Sequence, residues 1–217
     1  GMANLCFHTG LADADTTLQD LLLDDADATV EDAVYERFGL SLVPCGTSLS
    51  AFREADPTLL REVVAELAAD TDVLLLDSAA ALGSQSAVLP LVLADRTVVV
   101  LQPTIPSLSD GLKVQEYARS YGTDTAGVLF NRVRDDEAID RVAEQAERYF
   151  GGPTLATIPE SDAARAARRA GEPLLAHAPD SDAAAAYRRA ADQLEIQDGD
   201  EGTVADRFRS AVIPESP

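Results

Sequence analysis

Short apolar runs alternate with longer amphipathic stretches along this chain, and that alternation restricts it to few folds. The runs at 40–43, 73–76, 98–101, 126–130 and 155–158 are Leu-rich or β-branched, and several stop at Pro, Asp or Asn. Continuous apolar runs of this length suit parallel strands buried on both faces. Between them, helices are expected at 16–23, 30–38, 57–67, 86–93, 107–121, 135–150, 162–170 and 181–194. In 57–67, Leu59, Leu60, Val63, Val64 and Leu67 share one helical face. The predicted class is α/β, a doubly wound and mostly parallel sheet with helices on both faces. Ligands of such sheets bind beyond the carboxyl ends of the strands.

A chain of 217 residues with a hydrophobic fraction of 46% has ample material for one large folded domain, expected over 1–196. At 197 the composition changes to Gln-Asp-Gly-Asp-Glu-Gly, a linker. The remaining segment, Val204-Ala-Asp-Arg-Phe-Arg-Ser-Ala-Val-Ile, would place Val204, Phe208, Ala211 and Val212 on one helical face. Two Arg and little apolar area favour a frayed terminus over a membrane-surface helix, with weak peripheral membrane contact as the alternative. No signal-peptide pattern is present and no apolar run reaches the ~20 residues of a membrane span. The expected location is cytoplasmic, at the inner face of the membrane if that terminal helix makes contact.

Asp and Glu number 38 against 17 basic residues, for a formal net charge of −21. The acids are spread along the whole chain, a halophilic pattern that fits a cytoplasm rich in screening cations. Direct DNA binding is disfavoured, because phosphate contacts need clustered cations and acids flank the basic cluster Arg165, Arg168 and Arg169. Cys6 and Cys45 have no metal-ligand or redox spacing, and with His8 and His177 they form no metal pattern. Two small buried thiols are expected.

Three polar strand ends are candidates for chemistry. Asp77 closes the run Val73-Leu-Leu-Leu, where a carboxylate can orient Mg²⁺ or its water shell, or simply cap the next helix. Asn131, followed by Arg132, closes Gly127-Val-Leu-Phe; its amide can match a purine edge or serve a turn. Pro159 and Glu160 follow Ala156-Thr-Ile, with Asp162 as a candidate N-cap, and could wall a base pocket or be only a strand-to-helix turn. Three polar ends on one sheet edge favour a ligand site.

The chain has one lysine, Lys113, and no G-x-x-x-x-G-K-[ST] loop. In order and spacing, however, its motifs resemble the MinD branch of the MinD/ParA family of deviant P-loop ATPases over residues 1–195. Gly1-Met-Ala-Asn-Leu resembles the family segment just after its second strand. Val43-Pro-Cys-Gly-Thr-Ser resembles the strand leading to its small-residue loop. Val73-Leu-Leu-Leu-Asp-Ser resembles its Walker-B and switch II region. Leu89-Pro-Leu-Val-Leu-Ala-Asp and Val98-Val-Val-Leu-Gln-Pro resemble the helix and strand before its partner-facing loop. Asn131-Arg132 matches its adenine-recognising pair. Ile158-Pro159-Glu160, with Gly171-Glu-Pro-Leu, resembles its later loops.

The resemblance implies ATP and Mg²⁺ as ligands, with Asn131, Arg132, Pro159 and Glu160 at the base and Asp77 at the metal through its bound water. It implies a nucleotide-dependent homodimer, cell-division or partition proteins as partners, and a role in spatial positioning of division or chromosome machinery. It also implies that the chain lacks the family's first strand, P-loop and second strand, as a fragment would. No catalytic residue is then expected in this chain, and no ATP hydrolysis from it alone, since nothing cradles the phosphates. The switch II glycine is Ala81 here, with Gly83 as a shifted substitute. The alternative is a P-loop-less paralogue that acts as a protein-interaction module. A related small-molecule ligase is weaker, because no substrate-binding insertion is visible.

Overall fold

The computed structural model describes residues 4–23, 27–78, 85–134, 139–197 and 199. Ala81, Gly83, Asp135, Val204–Ile213 and parts of the linker lie outside the described residues. The chain divides into two compact units, one of residues 1–75 with 165–178, the other of 76–164 with 179–217.

The first unit is built of short pieces: α1 (Asn4–Thr9), α2 (Leu18–Leu21), α3 (Val30–Ala33), β1 (Tyr35–Arg37), β2 (Leu40–Leu42), α4 (Leu49–Glu54) and α5 (Leu60–Ala69), the last entered through a 3₁₀ turn at Pro57–Leu59. Local polar bonds set where helices start. Asp20 accepts from the Thr17 N–H at 2.7 Å and Asp32 from the Thr29 N–H at 2.9 Å. The Thr29 backbone and hydroxyl bonds hold the Asp32 carboxyl below its usual range. Leu21, Leu22, Ala33 and Val63 form the core, with Leu59, Leu60 and Leu67 packed against it. Cys6 and Leu11 make a second cluster, where the Cys6 thiol donates to the Cys45 carbonyl at 3.0 Å. Neither cysteine forms a disulfide; Cys6 is buried and Cys45 partly so, and burial pushes the Cys6 thiol up.

Three expectations are corrected in this part of the chain. The helix expected at 30–38 stops at Ala33, and residues 35–42 form an antiparallel hairpin instead. Phe38 and Gly39, both with positive φ (54° and 74°), form a two-residue turn whose twist matches paired strands. The run at 40–43 therefore belongs to this hairpin and not to the parallel sheet. The run at 73–76 is not a strand: its backbone has no ladder partner among the described residues, and Leu75 is 82% exposed. Leu-rich composition alone cannot satisfy strand donors and acceptors.

The second unit carries the parallel sheet. Its order is β3 (Arg96–Leu101), β4 (Asp124–Val133), β5 (Thr154–Pro159). The helices of this unit are α6 (Gln85–Leu93), α7 (Ile105–Ser120), α8 (Ile139–Phe150) and α11 (Asp182–Gln193), while α9 (Asp162–Ala170) begins in this unit and continues into the first, to which α10 (Leu174–His177) belongs. The chain passes from the second unit to the first within α9 and returns after α10. Val99, Leu101, Val128 and Phe130 pack against Leu108 and Leu112 of α7 and Val142, Ala146 and Phe150 of α8. Along β5 packs α11, with Ala183, Ala184, Ala186 and Ala190 buried. Close packing disfavours a side chain at two glycines: a Cβ at Gly127 would lie 2.5 Å from Leu155 Cγ, and one at Gly111 2.4 Å from Leu101 Cδ2.

This is the predicted α/β class, with parallel strands joined through helices. The strand at 126–130 extends to 124–133, and β4 is buried from Thr125 to Phe130. Burial on both faces fails at β3, where Val98 and Val100 are 40% and 58% exposed on an edge strand. The N-cap of α9 is Ser161, whose hydroxyl accepts from the Ala164 N–H at 3.3 Å; Asp162 is the first helical residue.

Candidate functional site

The carboxyl ends of β4 and β5 meet at a bulge. Phe130 pairs with Thr157 and Val133 with Pro159, so Asn131 and Arg132 stand opposite the single residue Ile158. Such a bulge bends the strand and re-aims its side chains. Arg132 takes the strain: its φ is 54°, in the left-handed region that L side chains disfavour. Its N–H donates to Asn131 Oδ1 at 2.9 Å, which fixes that side chain and leaves the amide NH₂ for a ligand acceptor.

The neighbouring strand end is tied to the bulge by two bonds. The Glu160 N–H donates to the Val133 carbonyl at 2.8 Å, and Arg134 Nε donates to the Glu160 carboxylate at 2.9 Å. Asn131, Arg132, Pro159 and Glu160 are thereby brought into one corner of the sheet. From α11, Tyr187 lies within reach of the Arg132 charge; burial pushes its hydroxyl up and Arg132 pulls it partly back.

Sequence reasoning missed Arg134 and Tyr187. Arg134 was within its reach, as a cation one residue past a strand end beside another strand end carrying Glu160. Tyr187 was not, because only packing of α11 along β5 brings it near the bulge.

Asp77 is placed differently. It is solvent-exposed and lies outside every helix and strand among the described residues, separate from the ladder that joins β4 to β5. Nearby, the Ser78 hydroxyl donates to the Ala87 carbonyl at 3.1 Å, anchoring the chain to α6.

The corner fits a purine base better than it fits phosphates. A base edge needs a fixed donor or acceptor beside an apolar wall, which Asn131 and Pro159 can supply. Phosphates need converging backbone N–H groups and cations. The chain has no G-x-x-x-x-G-K-[ST] loop, and its one lysine is exposed on α7, paired with Asp110 at 2.9 Å. The described residues contain no cluster of His, Cys, Asp and Glu that could hold a metal by themselves.

Similarity to known proteins decides the family. The chain superposes with a TM-score of 0.76 on the cell division ATPase MinD of Pyrococcus furiosus, at 31% identity, covering 88% of this chain and 80% of that one. The chain belongs to the MinD branch of the MinD/ParA family. The septum site-determining protein MinD of Pyrococcus horikoshii, complexed with Mg-ADP, matches with a TM-score of 0.78 at 30% identity, over 89% of this chain and 79% of that one. An uncharacterized ATP-binding protein of Methanocaldococcus jannaschii is 35% identical over 165 residues, 76% of this chain and 61% of the relative. The chain thus spans about three fifths of the length of the curated relatives it matches. No protein-family profile matches the chain. The α/β fold expected from the strand–helix alternation, with the P-loop NTPase-like type implied by the family resemblance, is the fold observed.

Proposed function

We propose that this is a MinD/ParA-type ATP-binding protein that acts in spatial positioning of cell-division or chromosome-partition machinery. The β4–β5 corner takes the adenine. Asn131 gives its amide to the ring edge, Pro159 supplies an apolar wall, and Glu160, held by Arg134, fixes the loop beside it. Arg132 stays in its strained conformation because the bulge sets the direction of Asn131. Asp77 orients the water shell of Mg²⁺, and ATP brings two copies together. The protein works in the cytoplasm, with its terminal segment as the one candidate for weak membrane contact. The observation that carries this reading is the two-against-one bulge at Asn131–Arg132 beside Pro159–Glu160. Its support outside the chain is the relationship to MinD proteins, one of them solved with Mg-ADP.

A second reading is a protein-interaction module that does not turn over nucleotide. The absence of a G-x-x-x-x-G-K-[ST] loop from these residues favours it. Calorimetry on the 217-residue chain separates part of this. No saturable ATP binding is expected of these 217 residues alone, which hold no loop to cradle the phosphates, whereas the whole protein is expected to bind ATP. A micromolar Kd for the 217 residues would overturn the first expectation. Adenosine followed by amide NMR tests the base corner itself. Weak, saturable shifts at Arg132, Val133 and Glu160 are expected, lost in Asn131→Ala, because one good hydrogen bond is worth about 1 kcal/mol. Shifts spread elsewhere, or unchanged in Asn131→Ala, would sink the assignment.

A further inference from the structure

Cys6 and Cys45 stand 39 positions apart in sequence, yet the first unit brings them together, and the nucleotide reading uses neither. The Cys6 Sγ lies 3.0 Å from the Cys45 carbonyl oxygen, to which it donates. The Cys45 side chain packs on the cluster of Cys6 and Leu11. The segment that carries Cys45 is also held by α2 and its approach: the Leu18 N–H donates to the Pro44 carbonyl at 2.8 Å, and the Gly46 N–H donates to the Gln19 side chain. Thiols fixed on one packed cluster can join by side-chain rotation, whereas cysteines on distant segments could join only if the backbone moved.

The stretch between the two cysteines holds α2, α3, β1 and β2. None of these exceeds four residues. Elements this short make few backbone hydrogen bonds of their own and depend on their packing. The same stretch supplies Leu21, Leu22 and Ala33 to the core of the unit. A covalent bond between its ends would restrict the unfolded chain over all of these elements, and a long loop gains more from such a bond than a short one.

We propose that Cys6 and Cys45 close a reversible disulfide that staples the short elements of the first unit when the surrounding thiol pool turns oxidising. The oxidant is a low-molecular-weight disulfide, RSSR. Cys45 is the more accessible of the two thiols. It loses its proton to solvent and attacks one sulfur of RSSR, so that a Cys45–S–S–R mixed disulfide forms and RS⁻ leaves. Cys6 then gives up its proton, and its thiolate attacks the Cys45 sulfur and expels the second RS⁻. The two released thiolates take up the two protons: two cysteine thiols are oxidised and RSSR is reduced to two RSH. Cys6 is 1% exposed and burial keeps it protonated, so the second step sets the rate. In a reducing pool the exchange runs backward and both thiols return.

The test uses the full chain, oxidised glutathione as RSSR and dithiothreitol to reverse it. The expected product is a monomer lighter than the reduced chain by two hydrogens, with Cys6 and Cys45 joined in a non-reducing peptide map. Its unfolding midpoint should rise by several degrees and fall back on reduction. Closure from the mixed disulfide should be at least about tenfold faster in buffer than in urea, because the fold has already brought the loop ends together. Cys6→Ser should stop at the glutathione adduct on Cys45, and Cys45→Ser should leave Cys6 unmodified. If either variant fails to fold, the wild-type mass, closure rate and midpoint still decide. A wild-type chain that stops at the adduct, a bridge between two chains, or closure no faster in buffer than in urea would overturn the proposal. So would no reaction at all, or an oxidised chain whose midpoint does not move. None of these readouts involves nucleotide, so failure here leaves the base corner of β4 and β5 untouched.

Discussion

Two stretches of this molecule have similar sequences and opposite fates. Gly127-Val-Leu-Phe-Asn runs inside β4, between two parallel neighbours, and Val128 and Phe130 are fully buried. Val73-Leu-Leu-Leu-Asp has the same design of apolar run and polar end, yet it is no strand, and Val73 and Leu75 are 44% and 82% exposed. The difference lies in the neighbours. β4 exchanges backbone hydrogen bonds with β3 on one side and β5 on the other, and its side chains meet α7 and α8. A parallel strand is stabilised by what lies beside it, and apolar composition only makes it eligible. β3 falls between the two: it is paired on one edge, and it exposes Val98 and Val100.

Substitutions should separate the two stretches by graded effects. The largest is expected at Phe130→Ala, which empties the centre of the packed side and should cost about 3–5 kcal/mol of unfolding free energy in a denaturant titration. A loss below about 1 kcal/mol would mean that β4 is not the structural axis of its unit. Next is Gly127→Ala, whose new Cβ meets Leu155; roughly 1–3 kcal/mol should be lost, and a companion Leu155→Val should recover part of it. Ser161→Ala removes the cap that starts α9 beyond the β5 end and should cost about 1 kcal/mol, read from the shift of the unfolding midpoint. The smallest effect belongs to Leu75→Ala, within about 0.5 kcal/mol of zero because the side chain is already in solvent. A large cost there would show the stretch packed as β4 is. Hydrogen exchange should agree, with slow amides across 126–130 and fast ones at 73–77.

Much of the second unit was legible in the sequence. The runs at 98–101, 126–130 and 155–158 are the cores of β3, β4 and β5, and the intervening helices begin within a few residues of their expected positions. The corner of Asn131, Arg132, Pro159 and Glu160 was also legible, because parallel strands of one sheet put their carboxyl ends on one edge. The hairpin at 35–42 was not. Its turn residues are Phe38 and Gly39, and only the glycine signals a positive φ; helical spacing of Val30, Ala33, Val34 and Phe38 masked the break. Nor was the bulge legible, since nothing in Phe-Asn-Arg-Val states that two residues will face one.

The sequence by itself determined the α/β class, the sites of the parallel strands of the second unit, the polar residues at their ends and the charge of the surface. Each of these follows from residue type and period, which act locally. Tertiary structure alone decided which apolar run became a strand and that Arg132 carries backbone strain. It also brought Arg134 to Glu160 and Tyr187 near Arg132. Those outcomes depend on what lies across from a residue in space, and a run of side chains does not specify its own neighbours.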